Sequence, residues 1–194
     1  MPTYTCFNGN QRIASGPLPV VALAVKQAIE SGADSPVLIF DDATGRSIQI
    51  DTEGSEVEVL ARLPSPTMEG AADNKGRGRP KLGVVAREVT LLPRHWEWLA
   101  TQPGGASVAL RKLVEEARRA NSDKDRTRMA QERAYYFMSA IGGNSPGFEE
   151  ATRALFANDQ SRFSEFVAAW PDDVRDHAIR LAFGNDDPVW PQES

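Results

Sequence analysis

The sequence predicts an α+β fold in which a small antiparallel sheet with one helix precedes a run of helices. Three observations carry this. Residues 3–51 hold short apolar runs separated by turn residues, whereas residues 93–183 repeat apolar side chains at three- and four-residue spacing. Between them, residues 64–81 ("PSPTMEGAADNKGRGRPK") are dominated by proline, glycine and charge, a composition that cannot build a core. The predicted boundaries are an α+β domain over 1–63, a basic linker over 64–81, a strand–helix–helix module over 82–121, a helical domain over 122–186 and a tail over 187–194.

Taken in order, residues 3–16 read as a hairpin turning at Asn8-Gly9, a pair that tolerates positive φ. Pro19 suits the first turn of a helix whose stripe is Val21, Val25, Ala28 and Ile29 and whose exit is Gly32. "PVLIF" (36–40) is a strand, "DDATG" a turn, and "RSIQID" and "EVEVLARL" alternate as strands should. After the linker, "VVAREVTLL" reads as a strand and Pro93 opens a helix stopped by Pro103-Gly104-Gly105. Residues 107–120 form an amphipathic helix and 123–141 a separate long one, ended by Gly142-Gly143. Three further helices carry apolar stripes: Phe148, Ala151 and Leu155; Phe163, Phe166, Val167 and Trp170; and Val174, Ala178, Leu181 and Phe183. These stripes are expected to meet in one small core.

The chain has 194 residues and a net charge of −5, unevenly spread. Residues 1–74 carry net −6, 75–133 net +7 and 134–194 net −6. A basic middle between acidic ends points to a polyanion such as nucleic acid, or to neutralisation within one monomer. A single cysteine, Cys6, leaves no internal disulfide and fits a reducing cytoplasm. The N-terminus lacks the basic start and apolar run of a signal peptide, and no apolar stretch is long enough to span a bilayer.

Enzyme chemistry finds little support. His95 sits at a helix start, where it can cap or pack. Asp173 and His177 share a helical face, the spacing of a minimal metal or acid–base pair, and read as a surface ion pair. Cys6 reads as a small core residue and Asp41-Asp42 as a turn. Trp96 and Trp98 point to different sides of their helix, both partly buried or one marking a partner surface. No cofactor, metal or catalytic set is expected.

"KGRGRPKLG" (75–83) concentrates four positive charges in nine residues. Its core, Arg77-Gly78-Arg79-Pro80, resembles an AT-hook, in which an extended Arg-Gly-Arg lies in the minor groove of A·T-rich double-stranded DNA. Lys75 and Lys81 would add phosphate contacts. Residues 85–119 resemble a ribbon-helix-helix module. That resemblance implies a strand at Arg87–Leu91 paired with a second copy, a helix over Pro93–Gln102, and a second helix near Ser107 whose N-terminus binds phosphate. Arg87, Val89 and Leu91 would face bases in one register, and Glu88 and Thr90 in the other. Arg94, Ser107 and Arg111 complete the expected contacts.

End to end, through "GRGRPKLGVVAREVTLLPRHWEWL", "GGASVALRKLVEEAR" and "GFEEATRALFA", the chain resembles a bacterial family known by a domain-of-unknown-function label. The expectation is a non-enzymatic DNA-binding protein, a transcriptional or nucleoid-associated regulator acting as a homodimer. The alternative is a protein–protein adaptor whose basic middle docks an acidic partner.

Overall fold

A computed structural model describes residues 2–33, 35–64 and 87–184. Lys75, Arg77, Gly78, Arg79, Pro80 and Lys81, with the rest of the expected linker and the tail, lie outside the described residues. The elements in chain order are β1 (Tyr4–Asn8), β2 (Gln11–Gly16), α1 (Leu18–Glu30), β3 (Val37–Asp41), β4 (Ser47–Ile48) and α2 (Glu56–Arg62). After the undescribed stretch come α3 (Pro93–Ala100), α4 (Gly105–Ile141), α5 (Phe148–Phe156), α6 (Gln160–Val167) and α7 (Asp172–Phe183). The α+β class is as the sequence predicts.

The chain divides into two compact units, residues 1–64 with 124–194, and residues 65–123. In the first, the sheet has the order β2-β1-β3-β4 with every neighbour antiparallel. The expected hairpin forms, but its turn falls one residue later than expected, at Gly9-Asn10: Asn8 ends β1 and pairs with Gln11, and Gly9 takes φ +57°. Thr5 pairs with Phe40, Cys6 with Ile39 and Phe7 with Leu38. Side chains alternate across a strand, so this register gives the sheet two apolar faces. Cys6 and Ile39 cluster with Val21 and Val25 of α1. Phe7 and Phe40 turn the other way and join Phe137 and Met138 of α4, Leu155, Phe163, Trp170, Val174 and Leu181. The sheet is therefore covered on both sides, which explains why β3 is an unbroken apolar run.

The stripes of α5, α6 and α7 do meet, and Trp170 Nε1 donates to the Pro146 carbonyl at 2.8 Å. Their core is not confined to the C-terminal helices, however. It includes two phenylalanines of the sheet, with Phe7 and Phe40 each about 5 Å, centroid to centroid, from Phe137 (5.4 and 4.9 Å). The boundary expected between residues 1–63 and 122–186 thus runs through one core.

Three local readings need correction. "EVEVLARL" is helix α2, not a strand. Ser55 accepts from the Glu58 N–H while Glu58 accepts from the Ser55 N–H, a capping box that closes both ends of the first turn. The alternation was misleading because only Val59 is buried. The expected break near residue 121 is absent, and α4 runs unbroken for 37 residues. No glycine or proline stands there to end the helix, and Asn121 and Ser122 donate back to the carbonyls of Ala117 (2.8 Å) and Arg119 (3.1 Å). Finally, residues 87–92 form no strand in the single chain.

Gly45 is required by packing. It has φ +67°, and a Cβ there would run into the carbonyl of Arg133, so the turn after β3 can lie against α4 only without a side chain.

In the second unit α3 begins at Pro93, as expected, and positive φ at Gly104, just before α4, and at Gly105, its first residue, turns the chain between the helices. Among its described residues only Leu99 and Ala109 are buried apolar side chains.

Candidate functional site

Two groups of residues matter for function. The first is the expected nucleic-acid contact set. Its described members, Arg87, Arg94, Ser107 and Arg111, all belong to the second unit and all are exposed. None of the three arginines has an acidic partner among the described residues. Arg111 Nε instead donates to the Ser107 carbonyl at 3.2 Å, one turn back on α4. The first turn of α4 carries no acidic side chain, so its free N–H groups face no competing charge. Trp96 and Trp98 on α3 are 42% and 51% exposed, so both present an edge to solvent.

The second group was not assembled by sequence reasoning. β1 supplies Thr5, the turn after β3 supplies Asp42, and α7 supplies His177 and Arg180. Thr5 and His177 are fully buried and Asp42 nearly so. Thr5 Oγ1 donates to Asp42 Oδ2 at 3.1 Å and lies 3.0 Å from Ser15 Oγ. Arg180 Nη2 donates to Thr5 Oγ1 at 3.3 Å and sits 2.8 Å from His177 Nδ1. A guanidinium can only donate, so Nδ1 accepts and the ring proton resides on Nε2. That nitrogen faces Asp42 Oδ1 at 3.5 Å, too long for a good hydrogen bond, and both atoms lack any other partner. Phe7 and Phe137 close over the ring edge-on, at 5.4 and 4.5 Å.

Burial pushes the His177 pKa down to about 3, and the positive charges of Arg180, Arg12 and Arg133 add to the effect. His177 is therefore a neutral imidazole at neutral pH. The expected surface ion pair with Asp173 does not form, because the Asp173 carboxylate instead accepts the Arg12 backbone N–H at 2.9 Å, tying β2 to α7. The signal for burial was present in the sequence: His177 falls on the stripe of Val174, Ala178 and Leu181. Nothing local pointed to Asp42, 135 positions away, which does lie in the expected turn but with its carboxyl turned inward.

His177 itself is fully buried, while Arg180 keeps 37% of its side chain exposed and Ser15 is exposed, so the cluster runs from the core to the surface. It acts as a polar clasp joining β1, the β3–β4 turn and α7. Cys6 is likewise buried, and burial pushes its thiol up to about 11, which leaves it protonated and unreactive. Among the described residues no three His, Cys, Asp or Glu side chains converge as metal ligands, and no helix is long and apolar enough to cross a membrane.

The fold and the site thus define a two-unit α+β protein with a buried polar clasp in one unit and exposed cationic and aromatic side chains in the other. Residues 3–182 match the family described as "Uncharacterized protein conserved in bacteria (DUF2239)", and the chain belongs to that family. No curated protein and no solved structure matched it.

Proposed function

We propose that the chain is a DNA-binding protein, a transcriptional or nucleoid-associated regulator that works as a homodimer. The observation that carries this reading is the exposure, in one compact unit, of Arg87, Arg94 and Arg111 without acidic partners among the described residues. They continue the cationic run of Lys75, Arg77, Arg79 and Lys81, within a segment of net charge +7 in an acidic chain. Clustered cations of this kind gain affinity by releasing counterions from phosphates. Arg77-Gly78-Arg79-Pro80 would enter an A·T-rich minor groove as an AT-hook does. Strand 87–91 would pair with its copy as in a ribbon-helix-helix protein, an arrangement a single chain cannot adopt.

A gel-shift titration of the full chain against A·T-rich and G·C-rich duplexes tests this. Binding is expected to weaken with salt by about 0.9 log units per log unit for each phosphate contacted. Arg77→Ala with Arg79→Ala should abolish the A·T preference, while Arg94→Ala and Arg111→Ala should weaken both duplexes alike. Absence of any shift at physiological salt sinks the reading.

One observation favours a second reading, an adaptor that docks an acidic protein: Trp96 and Trp98 stand half-exposed on α3, and such rings anchor protein interfaces. Under that reading Trp96→Ala abolishes partner capture and leaves DNA untouched.

A further inference from the structure

Between residues 111 and 126, α4 has every side chain exposed except that of Glu115, which is half-buried. This is about 24 Å of helix with almost no packing. A helix of that length is marginal in water, and helices in proteins draw their stability from a buried face. This one has an uncovered face. At about 100° per residue, Leu110, Leu113, Val114, Ala117 and Ala120 fall within roughly 60° of a line through Ala117, and the polar Asn121 and Lys124 continue the same stripe at its C-terminal end. Leu113 and Val114 are 42% and 65% exposed.

The flanks of this stripe differ in charge. On one side, about 100–120° from Ala117, lie Glu116 and Asp123; on the other, at the same angles, lie Arg118 and Arg111. Lys112 sits farther back on the acidic side; on the basic side Asp125 is bonded to Arg128 at 3.2 Å and Arg118 to Glu115 at 3.1 Å along the same helix. An antiparallel self-pairing would set Glu116 against Glu116 and Arg118 against Arg118. A parallel pairing about a two-fold axis sets each acidic flank against the basic flank of the other copy.

We propose that this face of α4 is covered by a second copy of the chain, helices parallel and in register along Leu110–Asn121. This deepens the dimeric part of the DNA-binding reading but does not depend on DNA.

Single-cysteine substitutions and light scattering on the full chain test it. Ala117→Cys and Lys124→Cys lie on the stripe about 10 Å apart along the helix. A parallel, in-register pair brings both to their own copies within disulfide reach. Both variants are therefore expected to form cross-linked dimers under mild oxidation, and buried Cys6 gives an uncross-linked background. Cross-linking at only one position, as an antiparallel pair allows, or at neither, overturns the proposal. Light scattering at micromolar concentration should give twice the chain mass, and Leu113→Asp should return it to one; a monomeric parent chain, or a dimeric Leu113→Asp, also overturns it. Arg118→Glu should weaken association about tenfold, with recovery on adding Glu116→Arg. Lys124→Cys changes an exposed residue, so it remains informative if Leu113→Asp fails to fold. A chain that dimerises in this way without shifting DNA refutes DNA binding alone, and one that shifts DNA as a monomer refutes this pairing and the dimeric part of that reading while DNA binding stands.

Discussion

His177 shows how one side chain can tie stability to pH. Its folded pKa is depressed from 6.5 to about 3, so between those values the unfolded chain binds a proton that the folded chain does not. Stability then rises with pH through this window and is lost on acidification, by about 1.4 kcal/mol per pH unit for the one proton. The cause is geometric: Arg180 occupies Nδ1, Arg12 and Arg133 add positive charge, two phenylalanines exclude water, and only Asp42 offers an opposing carboxyl. Chemical denaturation from pH 6.5 to 5 should cost the wild-type chain about 1.6 kcal/mol from this group, and His177→Gln should remove that slope. Equal pH dependence in the two proteins would show that the imidazole protonates without cost. The position of His177 on a buried stripe was legible from the spacing of α7. Its partners were not, since Thr5, Asp42 and Arg180 meet only after the sheet has packed on the helices.

At the scale of elements, the local signals that proved reliable were those with a backbone mechanism. Pro93 opens α3, Gly9 turns the first hairpin, and Pro19 sits in the first turn of α1. Alternation failed at residues 56–63 because period-two patterning reports burial of one face, and here a single valine is buried. Ser55 and Glu58 were the better evidence, being spaced as a capping box. Ser55→Ala should therefore cost about 1 kcal/mol, and Ser55→Asp, which keeps an acceptor at the cap, should cost less. The measurement is the denaturation midpoint of each variant; equal losses for Ala and Asp would mean that the cap hydrogen bond does not stabilise α2. The missed continuity of α4 has a similar lesson. Asn121 and Ser122 resemble a terminus by residue type, yet no glycine or proline stands there to end the helix, and both side chains fold back onto its carbonyls. Of the expected site, the basic charge and the apolar stripe of 107–120 were legible in the sequence, whereas the exposure of that stripe was not, since an amphipathic pattern by itself implies a covered face.

For the whole molecule, the arrangement of cores decides which pieces can stand alone. Residues 1–63 look self-sufficient in sequence, with a sheet and helices of their own. In the structure they form a half-covered layer, because α1 protects only the face bearing Cys6 and Ile39. The other face presents Phe7, Phe40 and buried Thr5 to α4 and α7. Removing the C-terminal helices would expose both phenylalanines, each carrying about 1.5–3 kcal/mol of burial free energy, and would leave Asp42 without His177 or Arg180. A piece of about 60 residues has little reserve against such losses. Residues 1–63 expressed alone should therefore give no cooperative thermal transition and should bind a dye specific for exposed apolar surface. Adding a second polypeptide covering 124–184 should restore a cooperative transition, because the missing layer is supplied in trans. In the intact chain, probes on the sheet and on α7 should melt together. A cooperative melt of 1–63 by itself, or separate transitions for the two probes in the full chain, would mean that the shared core around Phe137 does not couple the sheet to the helices.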